Sequence, residues 1–171
     1  MKKVLVLTAH PDDLELACGG TVARFVDEGV EVTNLIVCSN VPHKKYVPES
    51  SKILGFNPLY LEHRDESITR EVVAEIEALI DISSYDLLIT HWKEDWHQDH
   101  RFCHDLGNSL RRKQPLNVWY MNAYPYCQKY TSFDANVFVD ITKYIEQKKN
   151  SILCYKNVPT KWAKDTEHLT A

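Results

Sequence analysis

The stretch VLVLTAHPDD (residues 4–13) decides the fold of this chain. Val4 to Thr8 is a continuous β-rich apolar run, which is typical of a strand buried on both faces of a parallel sheet. After the polar turn, apolar side chains recur at helical spacing from Leu14 to Val26, and Gly29 predicts the end of that helix. A buried strand, a short turn and an amphipathic helix together predict the start of a βαβ unit.

The same alternation continues along the chain. Further strands are predicted at residues 31–38, 59–61, 87–90, 117–121 and 137–141. Further helices are predicted at residues 44–54 (Pro48 in its first turn and Gly55 after it), 67–82 (Thr69 as N-cap), 99–112 and about 142–155 (Thr142 as cap). Strands that alternate with helices predict an α/β fold with a mostly parallel sheet and right-handed crossovers. With no repeat or linker in view, we expect one domain over residues 1–157 and a short polar tail at 158–171.

Composition excludes several classes of protein. The chain has 171 residues, of which 44% are hydrophobic and 26% charged, as in an ordinary globular domain. A net charge of −4 gives no general attraction to nucleic acid or to anionic lipid. The first apolar run is too short for a signal peptide and no stretch is long enough to span a membrane, so we expect a cytoplasmic protein. Five scattered cysteines without a C-x-x-C pair argue against disulfides and against a thiolate zinc cluster.

Functional sites of open α/β sheets form beyond the carboxyl ends of the strands. The loop after the first strand carries His10, Asp12 and Asp13. Imidazole and carboxylate are the ligands of catalytic zinc, and the rigid turn at Pro11 could direct His10 and Asp13 at one point. Asp12 could then stay unbound as a base. An Asp-rich N-cap of the next helix explains this loop, taken alone, equally well.

The second candidate loop is THWKEDWHQDHR (residues 90–101). His97 and His100 are three residues apart at a helix start, so one could bind a metal while the other faces a substrate. Asp99 could hold one of these imidazoles in a single tautomer. His100 and His104 form a competing i, i+4 pair, although the stretch H-R-F-C-H lacks the glutamate of a metalloprotease helix, and we favour His104 as a half-buried helix residue. Spacing alone leaves the choice among these three histidines open.

Other conspicuous residues receive simpler interpretations. We interpret His43, His63 and His91 as surface or loop residues and His168 as part of the tail. The pair Gly19-Gly20 is unfavourable inside a helix, which indicates a close approach of the backbone to a ligand or a neighbouring strand. The sequence contains no dinucleotide fingerprint after a strand, no P-loop and no G-x-S-x-G elbow.

Together, AHPDDLELACGG (residues 9–20) and the later DWHQDHR (residues 95–101) resemble the LmbE/PIG-L family of zinc-dependent N-deacetylases. NVFVDITKYIEQKK (residues 136–149) is similar to a stretch found in bacterial members, so the resemblance runs from about Lys3 to Tyr155. It implies a Rossmann-like three-layer fold. It also implies a zinc ion held by His10, Asp13 and His100, although Fe²⁺ or another divalent ion could use such ligands.

The resemblance further implies three catalytic roles. Asp12 matches the general base that activates the water and can return its proton to the leaving amine. His97 matches the histidine that stabilises the oxyanion as an imidazolium, and Asp99 matches the carboxylate that orients it. The reaction implied is hydrolysis of an acetamido group to acetate and a free amine.

The substrate implied is an N-acetyl amino sugar or its conjugate, whether a glycan, a sugar nucleotide or a small carrier. Arg64, Asp65 and Tyr124 are candidate substrate contacts, the last within an aromatic stretch (residues 119–126) that replaces the acidic Tyr-Pro stretch of some members. The chain is also shorter than most members, and a homo-oligomer is a further expectation. Hydrolysis of another amide or of a phosphoester, and a non-catalytic metal-binding subunit, are the alternatives.

Overall fold

The centre of the molecule is a five-stranded parallel sheet. The computed structural model describes residues 1–63, 70–122 and 133–156. Its strands are β1 (Lys3–Thr8), β2 (Glu31–Ile36), β3 (Asn57–Tyr60), β4 (Leu87–His91) and β5 (Asn117–Met121). They lie in the order β3-β2-β1-β4-β5, and every pairing is parallel. The predicted α/β fold is confirmed.

Helices cover both faces of this sheet. They are α1 (Asp13–Asp27), α2 (Val47–Leu54), α3 (Arg70–Leu79), α4 (Gln98–Leu110) and α5 (Ile145–Leu153). Val4 and Val6 pack in a core with α1, α2 and α5, whereas Leu5 and Leu7 pack in a second core with α3 and α4. Because successive strand side chains point to opposite faces, a strand covered on both sides must be apolar throughout, as residues 4–7 are.

Strand order determines where a site can form. The chain moves from β1 to β2 on one side, and β4 pairs with β1 on the other side. The carboxyl ends of β1 and β4 therefore flank the point where the direction of winding reverses, which is the usual ligand crevice of open α/β sheets. The loops that follow these two strands are those that contain the candidate histidines and aspartates.

The predicted strand at residues 137–141 is wrong. Residues 133–140 form no strand, and Phe138 is 82% exposed, so the apolar alternation there does not pack into a sheet. Ile141 instead packs on α1, where a Cβ at Gly20 would lie 2.6 Å from its Cδ1. Gly20 thus makes room for a neighbouring segment of the chain. Thr142 begins a 3-10 turn and does not cap α5. Its backbone N–H donates to the side chain of Asp140 at 2.9 Å.

Smaller differences concern element ends. The second strand ends at Ile36, and Cys38 forms only an isolated bridge to Glu62. The third predicted helix is described from Arg70 and ends at Leu79, while Thr69 lies outside the described residues. Four of the five cysteines, Cys18, Cys38, Cys103 and Cys154, lie within the described ranges, and all four are buried. Across those same ranges, no helix is both long and apolar enough to cross a membrane.

Candidate metal centre

The β1 loop (residues 9–13) closes on itself through Asp13. The Oδ2 atom of Asp13 accepts a hydrogen bond from the backbone N–H of His10 at 2.7 Å. Asp12 occupies the N-cap position of α1, but its side chain makes no capping hydrogen bond. Asp12 therefore stands where the N-cap interpretation placed an aspartate, but its carboxylate does not cap the helix and is available for another role.

The β4 loop (residues 91–100) is organised by a buried carboxylate. Asp95 Oδ1 accepts from the backbone N–H of His97 at 2.9 Å, and Asp95 Oδ2 lies 2.9 Å from Nδ1 of His100. His97 is the N-cap of α4, where its Nδ1 accepts from the N–H of Asp99 at 3.3 Å. The Nε2 atom of His100 is thereby directed away from Asp95, toward the β1 loop.

The two loops meet at Asp13. Its Oδ1 lies 3.2 Å from Nε2 of His100, and its Oδ2 lies 3.6 Å from Nδ1 of His10. The rings of His10 and His100 are 5.5 Å apart between centroids. All three predicted metal ligands are therefore neighbours.

Several combinations of these side chains could hold a metal ion. Among the residues that the structure describes, ligand atoms lie within 4.8 Å of one another in three groups, which are His10–His97–His100, His10–Cys38–Asp99 and Asp13–His91–His100. The first and third groups offer only imidazole and carboxylate donors, the donor set of catalytic zinc sites. The predicted ligands are divided between these overlapping groups, so the exact ligand set stays a prediction.

Charge is concentrated at the contact between the loops. Burial favours the neutral acid of Asp13, but the neighbouring imidazoles of His100, His91 and His10 hold its pKa well below the usual range. Burial likewise opposes protonation of the two predicted histidine ligands. The negative charge of Asp13 outweighs this effect of burial. It raises the pKa of His10 to about 9 and, together with Asp95, raises the pKa of His100 to about 10. Without a metal, protons on these imidazoles take the place that a cation would fill.

Asp12 stands in the opposite environment from its neighbour. Burial, and then the negative charge of Asp13, raise the pKa of Asp12 to about 6. The only ion-pair contact found for it in the described part of the chain is a 3.9 Å approach of His43 Nε2 to its Oδ1. Adjacent carboxylates whose pKa values are pushed apart are a recognised sign of an acid–base assignment.

His97 lies beside the cluster and is partly open to solvent. Its side chain is 36% exposed, and its ring centroid lies 4.7 Å from that of His10. Burial and the charges of His10 and His100 lower the pKa of His97. The carboxylate of Asp99 lies 3.5 Å from His97 Nδ1 but 3.1 Å from His10 Nε2, so it is shared between the two histidines.

Two residues of the site were not anticipated. The interpretation of His91 as a loop residue is wrong, because its side chain is fully buried at the end of β4. Its Nε2 lies 3.2 Å from the N–H of Ala9 and 3.3 Å from Asp13 Oδ2, and its ring stacks on His100 at 4.0 Å. A histidine directly after a buried strand at the winding reversal is a signal that could have identified it. Asp95 offered no such signal, because its burial and its contacts with His97 and His100 cannot be read from local spacing.

The remaining predicted residues lie elsewhere. His104 is a half-buried residue of α4, as expected, and its Nδ1 donates to the carbonyl of His91 at 3.1 Å. His63 pairs with Glu75 on the surface. The candidate substrate contacts Arg64, Asp65 and Tyr124 lie outside the described residues, as does His168.

The fold and this cluster define an α/β protein with a centre of histidines and aspartates, suited to a metal, at its winding reversal. A family model described as GlcNAc-PI de-N-acetylase (PIG-L) matches residues 5–110. The chain belongs to the PIG-L family, and the predicted resemblance is confirmed.

Similar proteins of known name fall into two reaction types. The chain is 28% identical over 128 residues to the diacetylchitobiose deacetylase of Thermococcus kodakarensis, an alignment that covers 63% of this chain and 48% of that protein. It thus spans about half of that relative's length. Among solved structures, the N,N'-diacetylchitobiose deacetylase of Pyrococcus horikoshii has a TM-score of 0.75 at 21% identity, covering 99% of this chain and 75% of that one. GalB, a 4-carboxy-2-hydroxymuconate hydratase of Pseudomonas putida, has a TM-score of 0.84 at 16% identity, covering 98% and 84%. Since one fold carries both a deacetylase and a hydratase, the reaction must be argued from the site.

Proposed function

We propose that this protein is a metal-dependent N-deacetylase that converts an N-acetyl amino sugar or its conjugate into the free amine and acetate. One observation carries the proposal. Asp12 and Asp13 are adjacent, yet Asp13 contacts the imidazoles of the cluster whereas Asp12 stands beside it with a raised pKa of about 6. A carboxylate next to a metal site, but outside its ligand set, is suited to act as a general base near neutral pH.

The donor set fits a divalent ion. His10, Asp13 and His100 would hold it, with Asp95 orienting His100 as carboxylates do for many metal-bound histidines. When bound, zinc or a similar ion supplies Lewis acidity that polarises the acetamido carbonyl and makes water more acidic. Buried imidazoles that are charged because they face carboxylates, chiefly Asp13, support this assignment, since a cation there would replace their protons.

The protein residues would then move the protons. A water oxygen attacks the carbonyl carbon of the acetamido group while Asp12 accepts a proton from that water. The carbon–nitrogen bond breaks, Asp12 passes the proton to the departing nitrogen, and acetate and amine are the products. This balances as amide plus water giving carboxylic acid and amine, which become acetate and an ammonium group once the acid proton passes to the amine, with no oxidant or further reactant required.

His97 would stabilise the negative charge that develops on the carbonyl oxygen. Because its Nδ1 accepts from the N–H of Asp99, its proton lies on Nε2, from which it can donate a hydrogen bond. The lowered pKa of His97 means that this donor is neutral imidazole in the metal-free protein, in contrast to the imidazolium that the resemblance implied. A fixed donor to a developing oxyanion typically contributes about 10²–10³-fold in rate.

The proposed substrate class follows from relatives named as deacetylases of diacetylchitobiose and of an inositol-linked 2-acetamido-2-deoxyglucoside. A cytoplasmic location and a homo-oligomer remain predictions. The direct test is acetate release from a panel of N-acetyl amino sugars, sugar nucleotides and small glycosides by the zinc-loaded protein. We expect release from at least one member, loss of activity after chelation, and recovery after zinc is restored. A zinc-loaded, folded protein that releases acetate from no member would contradict the substrate class.

A pair of variants tests the ligand set. His100→Ala should lower bound zinc to well under one ion per chain, whereas His104→Ala, on the same helix, should retain it. Metal analysis after dialysis measures both. Equal zinc content in the two variants would refute His100 as a ligand.

A further inference from the structure

The β1 loop is also contacted by the far end of the chain. The hydroxyl of Tyr155 lies 2.6 Å from the backbone carbonyl oxygen of Pro11, across 144 residues of sequence. The same hydroxyl lies 2.9 Å from Oε1 of Glu15, an oxygen that also accepts from the hydroxyl of Ser50. Tyr155, Glu15 and Ser50 are all buried. We call these three side chains the Tyr155 clamp.

We propose that Tyr155 is a positioning residue, whose hydroxyl fixes the Pro11–Asp12 peptide and so sets the base and both β1-loop ligands relative to one another. The proposal rests on the proposed function for its kinetic consequences only. The Tyr155 hydroxyl contacts Pro11 and Glu15, not the histidines and aspartates of the cluster, so it acts through the backbone of the loop. It also lies outside residues 5–110, the part matched by the family model.

The bond acts at the centre of the functional stretch. Pro11 stands between His10 and Asp12, and its carbonyl belongs to the peptide that leads into Asp12. Proline fixes φ of residue 11, which leaves rotation about ψ as the main backbone freedom of that residue. A donor that holds the Pro11 carbonyl removes that freedom. Rotation of this peptide would move Asp12 and Asp13 together relative to His10.

The donor is itself held rigidly. Tyr155 follows α5, and its N–H donates to the carbonyl of Ile152 at 3.0 Å. Its ring packs edge-on against Tyr46 with 5.9 Å between centroids. Because Tyr155 is only 2% exposed, its ring is confined by packing, and the hydroxyl cannot swing away from the loop. Burial also matters energetically, because Pro11 is buried and a buried carbonyl without a donor is unfavourable.

The ring and the hydroxyl can be separated experimentally. Tyr155→Phe keeps the packed ring and removes only the donor. Tyr144→Phe is the matched control, because Tyr144 precedes the same helix and its hydroxyl donates to Asp27 at 2.8 Å on the surface, away from the cluster. Both variants remove one tyrosine hydroxyl near the same helix, although that of Tyr155 is buried and contacts both Pro11 and Glu15, so the free energy of unfolding is measured for both.

The readouts are zinc affinity by chelator competition, the visible absorption spectrum of the cobalt-loaded protein, and kcat and KM at saturating zinc. We expect Tyr155→Phe to bind zinc about 10-fold more weakly and to have a changed cobalt spectrum, as is typical when support behind metal ligands is lost. We expect its kcat to fall about 10-fold with KM within about 2-fold, since the base moves and the substrate contacts do not. Tyr144→Phe should match wild type in all of these.

Zinc affinity and the cobalt spectrum are read without substrate, so they test the clamp even if the panel releases no acetate. Tyr155→Phe that matches Tyr144→Phe in zinc affinity and spectrum would overturn the proposal. Should Tyr155→Phe not fold, Ser50→Ala takes its place, because it loosens Glu15 without altering the ring. We expect about 3-fold weaker zinc binding there, and unchanged affinity would overturn the proposal equally.

Discussion

The two loops that form the site are held in contrasting ways. The β4 loop is held mainly by its own residues, with Asp95 joining His97 to His100 and its carbonyl accepting from Arg101 at 2.7 Å. The β1 loop is closed by the contact of Asp13 with the N–H of His10, but it is also held by distant parts of the chain, namely His91 at the end of β4 and Tyr155 after α5. Local sequence therefore specifies most of the β4 loop. The full set of contacts that hold the β1 loop forms only when the tertiary structure is complete.

The largest expected effect is the release of protons from both loops when a metal binds. At pH 7 the raised pKa values of His10 and His100, about 9 and about 10, mean that each loop carries one protonated histidine. A ligating imidazole must be neutral, so zinc should release about two protons and its affinity should rise up to about 100-fold per pH unit between pH 6 and 8. Calorimetry in buffers of different ionisation enthalpy counts the protons.

A release near one proton would mean that only one loop contributes a charged ligand. No release, with an affinity that does not change with pH, would contradict the charge distribution in the metal-free site.

The next largest effect concerns the distant support of the β1 loop. Burial raises the pKa of Glu15 to about 8 from its ordinary 4.5, so the folded chain holds a proton that the unfolded chain releases between these values. Stability from this group is complete below about pH 4.5 and is lost as the pH rises through about 8. Glu15→Gln removes this titration. Its free energy of unfolding relative to wild type should therefore increase by up to about 1.4 kcal/mol per pH unit across that range.

Chemical denaturation of the zinc-free proteins at pH 5 and pH 8 measures this difference. Glu28→Gln, at the exposed end of α1, is the control for the loss of one carboxylate. A difference between Glu15→Gln and wild type that does not change with pH would show that Glu15 is ionised in the folded protein.

The internal support of the β4 loop predicts a somewhat smaller effect. Asp95→Asn keeps the shape of the side chain but removes the charge that orients His100, so zinc should bind about 10–100-fold more weakly. Asp105→Asn, an exposed residue of α4, should bind zinc as wild type does. Chelator competition compares the two, and equal affinities would break the contrast between the loops.

The smallest effect is expected at Cys38, which belongs to one of the three groups of potential ligands. Imidazole and carboxylate donors are sufficient for the proposed site, so Cys38→Ala should change zinc affinity less than about 3-fold. A loss of 10-fold or more would assign the metal to the His10–Cys38–Asp99 group.

The sheet could be predicted because a strand covered on both faces must be apolar throughout, and residues 4–7 are apolar in the sequence. The two site loops could also be predicted, because the carboxyl ends of parallel strands lie at the same edge of the sheet. The positions of His91 and Asp95 in the site were not predicted, because local spacing shows neither the burial of a side chain nor a contact between loops. The error at residues 137–141 has the same origin, because the apolar side chain of Ile141 packs on α1 and not in a sheet.

The central claim is that Asp12 stands beside the metal ligands as the base and is not one of them. The most direct measurement compares zinc content and acetate release in Asp12→Asn and in the exposed control Asp105→Asn, both loaded with zinc. We predict that both variants hold one zinc ion per chain. Asp105→Asn should be as active as wild type, and Asp12→Asn should lose about 10²–10⁴-fold in kcat. Full activity in zinc-loaded Asp12→Asn, or loss of the ion from it, would contradict the account.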